Sequence, residues 1–281
     1  MADACVRFRP LSTVYCLLST VLIYLLSPGK LLAVALAAAG GGAINSIAGG
    51  GTLLTFPALV GLGVPPIVAN ATSTVALWPG SLASFWGYRR AIRAIRPWWL
   101  HWAIPSLLGG ITGAILLLIT PEKDFSTLVP FLIWGATILF IVQQPLLRWI
   151  VGHRPAPDDV ERSAPPRRYL VYQFAVAIYG GYFGAGAGIL MLAAFEMMGL
   201  RNIHTMNGLK NWCGLNINAI AVAVFVVSGI ILWPVGLTMA MGAVVGGAVG
   251  SRLAQRVAQQ WVRRAVVAIG LGSGLAMFLK G

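Results

Sequence analysis

Gly40-Gly41-Gly42-Ala43-Ile44-Asn45-Ser46-Ile47-Ala48-Gly49-Gly50-Gly51 runs straight into the short apolar stretch Thr52–Leu62. Both lie inside 58 consecutive residues, 31–88, that contain no Asp, Glu, Lys or Arg. An uncharged run of that length is read as membrane sequence, since one spanning helix takes about 20 apolar residues. The stretch after the glycines is only ten or eleven residues long, too short to span. It fits a half-helix or re-entrant segment, and irregular backbone at membrane depth is tolerated only inside protein or along a watery cavity.

The rest of the chain agrees. Further uncharged runs cover 97–121, 125–147, 169–195, 211–251 and 265–279, so that roughly seven to nine spans are expected. Of 281 residues, 58% are hydrophobic and 10% charged, and the mean hydropathy is +0.82. Soluble domains are about a quarter charged, so a soluble enzyme is excluded, and disorder is excluded by the hydrophobicity. Barrel strands would alternate over about ten residues. The unbroken Leu/Val/Ala/Ile runs instead predict an all-α polytopic membrane protein.

A second break stands at Gly180-Gly181-Tyr182-Phe183-Gly184-Ala185-Gly186-Ala187-Gly188, followed by Ile189–Met198. The two breaks are related by a constant offset of 137 residues, which also aligns Asn70 with Asn207, Pro97 with Pro234, Leu100 with Leu237, Gly109 and Gly110 with Gly246 and Gly247, and Gly113 with Gly250. The charges differ between the copies. Arg89, Arg90, Arg93 and Arg96 have no counterpart in Val226–Trp233. Arg252, Arg256, Arg263 and Arg264 face only Lys123, beside Glu122 and Asp124, in Ile115–Thr127. Under the positive-inside rule, matching positions then lie on opposite sides of the membrane. This is an inverted-topology repeat, the plan of many secondary transporters. The expected organisation is an N-terminal extension with an extra membrane helix or signal-like segment at 1–30, a first repeat at 31–147, a charged cytoplasmic linker at 148–168 and a second repeat at 169–281. Arg7 and Arg9 followed by Leu11–Leu26 resemble a signal peptide, but no small-residue cleavage site follows, so a retained helix is favoured.

The net charge of +13 would suggest nucleic acid in a soluble protein. Here the basic residues cluster at the ends of apolar runs, and no nucleic-acid partner is expected. Cys5, Cys16 and Cys213 make no disulfide framework. No His-Glu-x-x-His, Gly-x-Ser-x-Gly or Gly-x-x-x-x-Gly-Lys-Ser/Thr motif is present, so no metal, catalytic residue or cofactor is expected, and energy would come from a gradient.

Polar residues inside the apolar runs mark the expected site. The helix after the first short segment opens with Asn70, Thr72, Ser73 and Thr74. Its counterpart carries Asn207, Lys210 and Asn211, then Asn216 and Asn218, with Lys210 aligned to Ser73. An intramembrane ionisable residue is a functional candidate by default. Lys210 can offer three donors to an oxyanion, or snorkel toward Arg201 and His204, or pair with Glu196. Half-helices starting at Thr52 and Ile189 would aim free N–H groups and a positive dipole end into a midplane cavity. The candidate substrate-binding residues are therefore Asn45, Ser46, Gly49, Gly50, Gly51, Thr52, Asn70, Thr72, Ser73, Gly184, Gly186, Gly188, Asn207, Lys210 and Asn211. Gly109, Gly110, Gly113, Gly246, Gly247 and Gly250 are expected to serve close helix packing. His204 is expected in a loop, His101 and His153 at interfaces. Trp78, Trp86, Trp98, Trp99, Trp102, Trp212, Trp233 and Trp261 are assigned mostly to the interfacial aromatic belts.

The run Asn45-Ser46-Ile47-Ala48-Gly49-Gly50-Gly51-Thr52-Leu53-Leu54-Thr55-Phe56-Pro57-Ala58-Leu59 resembles the TauE/SafE family of sulfite-exporter-like membrane transporters. Ala69-Asn70-Ala71-Thr72-Ser73, Phe183-Gly184-Ala185-Gly186-Ala187-Gly188 and Asn207-Gly208-Leu209-Lys210-Asn211 fit its other motifs, and the resemblance covers roughly 31–279. It implies a multi-pass protein of the bacterial inner membrane that moves sulfite, sulfonate, thiosulfate or related organic anions, with a coupling proton or ion as a further partner besides the lipid bilayer. Relatives often carry Asp where this chain has Asn45, so no proton or cation role is expected there. A channel for anions or small solutes is the alternative to a transporter.

Overall fold

The computed structural model describes residues 27–47, 49–93, 95–151, 165–200, 202–253, 267–275 and 278. The extension at 1–26, most of the linker (152–164), Cys5, Cys16, His153, Arg201, Arg256, Trp261, Arg263 and Arg264 lie outside the described residues.

The described chain is helical. The first half contains α1 (Pro28–Ile47), the short α2 (Thr52–Gly61), α3 (Pro66–Tyr88), α4 (Trp98–Ile119) and α5 (Glu122–Val151). The second contains α6 (Arg167–Tyr182), the short α7 (Ala187–Met197), α8 (Ile203–Ser228), α9 (Trp233–Leu253) and a further helical stretch at 267–275. Both halves thus open long, short, long, long. This is an all-α membrane protein with two corresponding broken helices, as the repeat implies.

By length and apolarity, four helices among the described residues qualify as membrane spans: Pro28–Ile47, Trp98–Ile119, Ile203–Ser228 and Trp233–Arg252. That is fewer than the seven to nine expected of the whole chain, whose apolar runs at 11–26 and 265–279 lie wholly or partly outside the described residues. Within the described residues, α3 and α6 fall short for a visible reason. Along α3, Asn70, Thr72, Ser73, Ser81 and Ser84 are turned into the protein interior, and α6 has only 16 residues. Their burial is supplied by neighbouring helices rather than by lipid.

The breaks are shorter than the glycine runs suggested. Gly40–Gly42 belong to α1 and Gly180–Gly181 to α6; the irregular backbone begins only after Ile47 and Tyr182. α7 starts at Ala187, two residues before the expected Ile189, because Gly186 at φ +80° turns the chain directly into the helix. The helical glycines serve contact instead. A Cβ on Gly42 would meet the backbone of Ala243, and one on Gly181 the backbone of Gly110.

The two halves interlock. α1 packs mainly on α9, and α6, its counterpart, mainly on α4, the counterpart of α9. Without a hydrophobic driving force between helices in lipid, small residues that let backbones approach do this work. Gly242 faces Ala35, Gly246 faces Ala39 and Gly250 faces Ala43 across the α1–α9 seam. Gly109 and Gly113 face Phe174 and Ile178 across α4–α6. The packing role expected for the six glycines is what the structure shows. A further wedge fixes α2: Phe56 meets Phe183 and Phe125 edge-to-face, with ring centroids 5.4 and 6.5 Å apart.

Substituting Gly246 with Val places side-chain atoms in the Ala39 carbonyl and should destabilise the fold by roughly 3 kcal/mol or more. Gly135→Ala, where a Cβ meets nothing within 4 Å, should be neutral to slightly stabilising. Thermal unfolding of the two detergent-purified variants checks this contrast.

Candidate functional site

The site begins where the two breaks cross. Gly49 has φ +80°, and a Cβ built on it would lie 2.6 Å from the Cα of Gly188, so backbone touches backbone between the halves. Only glycine allows both the left-handed conformation and the approach. Gly184 and Gly186 also sit at φ +80°. The Tyr179 hydroxyl donates to the Ala185 carbonyl and pins that turn.

Beside the crossing lies a cavity of about 50 Å³. Asn45 and Gly49 line it from the first break, Ser81 from α3, and Gly180, Gly184, Ala187, Gly188 and Met191 from the second break and its flanking helices. Lys210, Asn211, Gly214, Ile217 and Asn218 of α8 complete the wall. The volume suits a few water molecules or one small tetrahedral ion. Lys210 is the one ionisable side chain among these lining residues. Ala187 and Gly188 are the first two residues of α7, so the positive end of its dipole borders the cavity, although the Ala187 and Ile189 N–H groups already donate to the Gly184 and Gly186 carbonyls.

Lys210 is 3% exposed. Its Nζ donates to the Asn45 carbonyl at 3.0 Å, the Ser46 carbonyl at 3.1 Å and Asn207 Oδ1 at 3.1 Å. Three donors thus meet three acceptors, and two of these are last-turn carbonyls of α1, which an α-helix leaves without internal partners. The ammonium caps the negative end of a broken helix. It neither snorkels to an interface nor pairs with Glu196, which is half-buried on α7. In the first half Asn70 takes the corresponding place: its Nδ2 donates to the Tyr182 carbonyl at 2.9 Å, and Tyr182 is the offset partner of Asn45.

The expected residues differ in where they fall. Asn45, Gly49, Gly184, Gly188, Lys210 and Asn211 line the cavity. Ser46 lies behind it, with a carbonyl that accepts from Lys210 and, at 3.5 Å, from Asn211. Gly50, Gly51 and Thr52 form the turn into α2, and Gly186 the turn into α7. Asn207 orients Lys210. Asn70, Thr72 and Ser73 are buried outside the cavity: Thr72 accepts from the Leu232 N–H at 3.2 Å, and Ser73 bonds Thr55 at 2.6 Å. Ser81 and Asn218 were not among the site residues expected. Asn45 Nδ2 donates to Ser81 Oγ at 3.3 Å. The constant offset pairs Ser81 with Asn218, and that match could have flagged both.

On the arginine-rich side a vestibule of about 540 Å³ is lined by Gly87, Tyr88, Arg89, Arg90, Ala91, Asn202 and His204. His204 lies in the first turn of α8 rather than in a loop, because Asn202 caps that helix by accepting from the His204 and Thr205 N–H groups. Its ring stacks on Tyr88. The buried Tyr88 hydroxyl approaches the Ser46 hydroxyl without reaching hydrogen-bond geometry, so one aromatic ring separates the vestibule from the residues that bind Lys210. His101 is exposed, as expected. The tryptophans divide: Trp86 and Trp233 are exposed, whereas Trp98 and Trp102 are buried in a protein core against Phe195 and its neighbours.

Lys210→Met leaves the Asn45 carbonyl and Asn207 Oδ1 without their donor and the Ser46 carbonyl with only its long bond from Asn211. It should cost roughly 3 kcal/mol and lower the thermal midpoint by several degrees, measured without added ligand. Gly49→Ala should be at least as damaging, through both φ and the contact with Gly188.

The profile of the family described as "Sulfite exporter TauE/SafE" matches residues 33–277. A "Probable membrane transporter protein" of Haemophilus influenzae is 30% identical over 210 residues, 72% of this chain and 76% of that protein. "Probable membrane transporter protein ORF9" of a Sinorhizobium species is 28% identical over 204 residues, covering 72% and 74%. "Probable membrane transporter protein YfcA" of Escherichia coli K12 is 27% identical over 225 residues, covering 78% and 79%. No solved structure matches. With a family match over nearly its whole described length, and relatives named as probable membrane transporters, the chain belongs to the sulfite exporter TauE/SafE family of membrane transporters.

Proposed function

We propose that the protein is a secondary transporter of a small sulfur-containing or related organic anion, of the sulfite, sulfonate or thiosulfate type, and that the cavity at the crossing of the breaks is its binding site. The observation that carries the reading is electrostatic. The one charge lining the cavity is the Lys210 cation, and it shares the cavity wall with the first residues, and so the positive end, of α7. Both favour an anion. Asn45, Ser81, Asn211 and Asn218 add neutral polar groups that can follow the oxygens of such an anion. The Lys210 hydrogens are taken by protein acceptors, so its part is charge rather than direct donation.

The two repeats, 31–147 and 169–281, rock against one another about this site, joined by the cytoplasmic linker 148–168 and preceded by the extension 1–30. The membrane is the bacterial inner membrane, with the Arg89–Arg96 side in the cytoplasm. The small cavity and the backbone contact of Gly49 with Gly188 support alternating access over a continuous pore. Tyr88 is the gate toward the arginine-lined vestibule.

Thermal unfolding in neutral detergent with sulfite, thiosulfate, sulfate, small sulfonates, carboxylates and chloride tests the substrate class. A ligand at a hundred times its Kd stabilises by about 2.7 kcal/mol. One sulfur anion should raise the midpoint selectively, and Asn211→Leu should remove the shift; equal midpoints in all anions would sink the proposal. In proteoliposomes Tyr88→Ala should raise passive leak of the same anion at least several-fold, whereas Tyr172→Ala, on the exposed face of α6, should not.

A further inference from the structure

Among the described residues, Asn70 Oδ1 is one of the few buried side-chain acceptors without a hydrogen-bond partner, and Asn70 is 1% exposed. Its offset partner Asn207 has an identical side chain in the corresponding helix, and there Oδ1 accepts from the Lys210 ammonium. The ammonium also rests on the Asn45 carbonyl, whose offset partner is the Tyr182 carbonyl. The first half therefore repeats two of the acceptors that hold a cation in the second half, but position 73 carries Ser in place of Lys.

Position 73 supplies a hydroxyl where position 210 supplies an ammonium. Ser73 projects one turn beyond Asn70 on the same face of α3, as Lys210 does beyond Asn207 on α8. Ser73 Oγ lies 2.6 Å from Thr55 Oγ1, and Thr55 already donates to the Gly51 carbonyl, so Ser73 is the donor of the pair and keeps its own lone pairs. The offset partner of Thr55 is the apolar Leu192. Thr55 and Ser73 are both fully buried. The Tyr182 carbonyl accepts one bond, from Asn70 Nδ2, and a carbonyl has a second lone pair. It ends α6, so the negative end of that helix dipole falls here.

We propose that Asn70 Oδ1, Ser73 Oγ, Thr55 Oγ1 and the Tyr182 carbonyl oxygen bind a dehydrated monovalent cation of sodium size, at the place where the second half holds the Lys210 ammonium. The set is neutral, with amide, hydroxyl and carbonyl oxygens and no carboxylate. Calcium sites draw on carboxylates, and magnesium keeps several of its waters. Unwound carbonyls and half-helix C-terminal ends are where broken-helix transporters hold small monovalent ions. Each broken helix would then carry one positive charge at its C-terminal end, covalent in one half and exchangeable in the other. Binding of the ion stands independently of the anion proposal; its use as the coupling ion rests on that reading.

The test is thermal unfolding of the full chain in neutral detergent with chloride as the constant and only added anion, in sodium, potassium or choline chloride at equal ionic strength. Sodium should raise the midpoint saturably over choline, by about 3–6 °C at ten times its Kd, and more than potassium does. Ser73→Lys gives the first half the second half's cation; it should unfold in choline near the temperature that wild type reaches in sodium, with no further rise on adding sodium. Ser73→Ala, which removes one ligand with little change in volume, should shrink the sodium shift if the lysine variant does not fold. Equal wild-type midpoints in sodium and choline would overturn the site, as would a full-sized sodium shift in a folded Ser73→Lys or Ser73→Ala protein. Failure of every sulfur anion to bind, with the sodium shift intact, would instead count against the anion reading alone.

Discussion

The Lys210 ammonium on the last carbonyls of α1 is the contact on which the centre of this protein depends. A charge at membrane depth is expensive, and a helix that stops there exposes carbonyls that water cannot reach. Bringing the two liabilities together offsets both. The contact is also long-range: it ties residue 210 to residues 45 and 46 and so fixes the first break against the second half. With α1 held in this way, Gly49 can rest on Gly188, α7 can present its N-terminal end, and a cavity with a positive wall results.

The halves share an architecture but not a chemistry. Asn70 and Asn207 are identical, yet one donates to a carbonyl and the other steers a lysine. Thr55 with Ser73 stands against Leu192 with Lys210. Such divergence at the centre, over small-residue seams repeated in both copies at the periphery, is the pattern expected when a pseudo-symmetric scaffold is used for an asymmetric task. The scaffold needs glycines at the same helix positions in both copies, because backbone contact has no alternative side chain. The centre is free to differ, since a helix end can be capped by an amide or an ammonium.

Much of this was legible beforehand. The helical class, the broken segments and the packing glycines followed from uncharged runs and a constant offset, and the cost of a membrane charge singled out Lys210 as a candidate. The limits of the breaks did not, because glycine in sequence looks the same whether it frees the backbone, as Gly49 does, or lets another helix approach, as Gly42 does. Only the partner across the seam, Ala243, separates them. Nor did the sequence tell which polar groups of α3 face the cavity. Asn70, Thr72 and Ser81 are similar in kind, and their positions along the helix relative to three neighbours decide that only Ser81 reaches it. The tryptophans show the same limit: amphipathic rings suit both an interface and a core, and Trp102 is in the core.

The exchange of helices between halves has a consequence for how the protein is made. α1, the first helix described, finds its main partner in α9, some two hundred residues later in the chain. Until α9 leaves the ribosome and enters the bilayer, the face of α1 bearing Ala35, Ala39 and Ala43 has only lipid or insertion machinery to lie against. Neither half can close its own seam, so the two are co-dependent in biogenesis, and a nascent chain stalled in the linker would be a substrate for membrane quality control rather than a half-sized transporter.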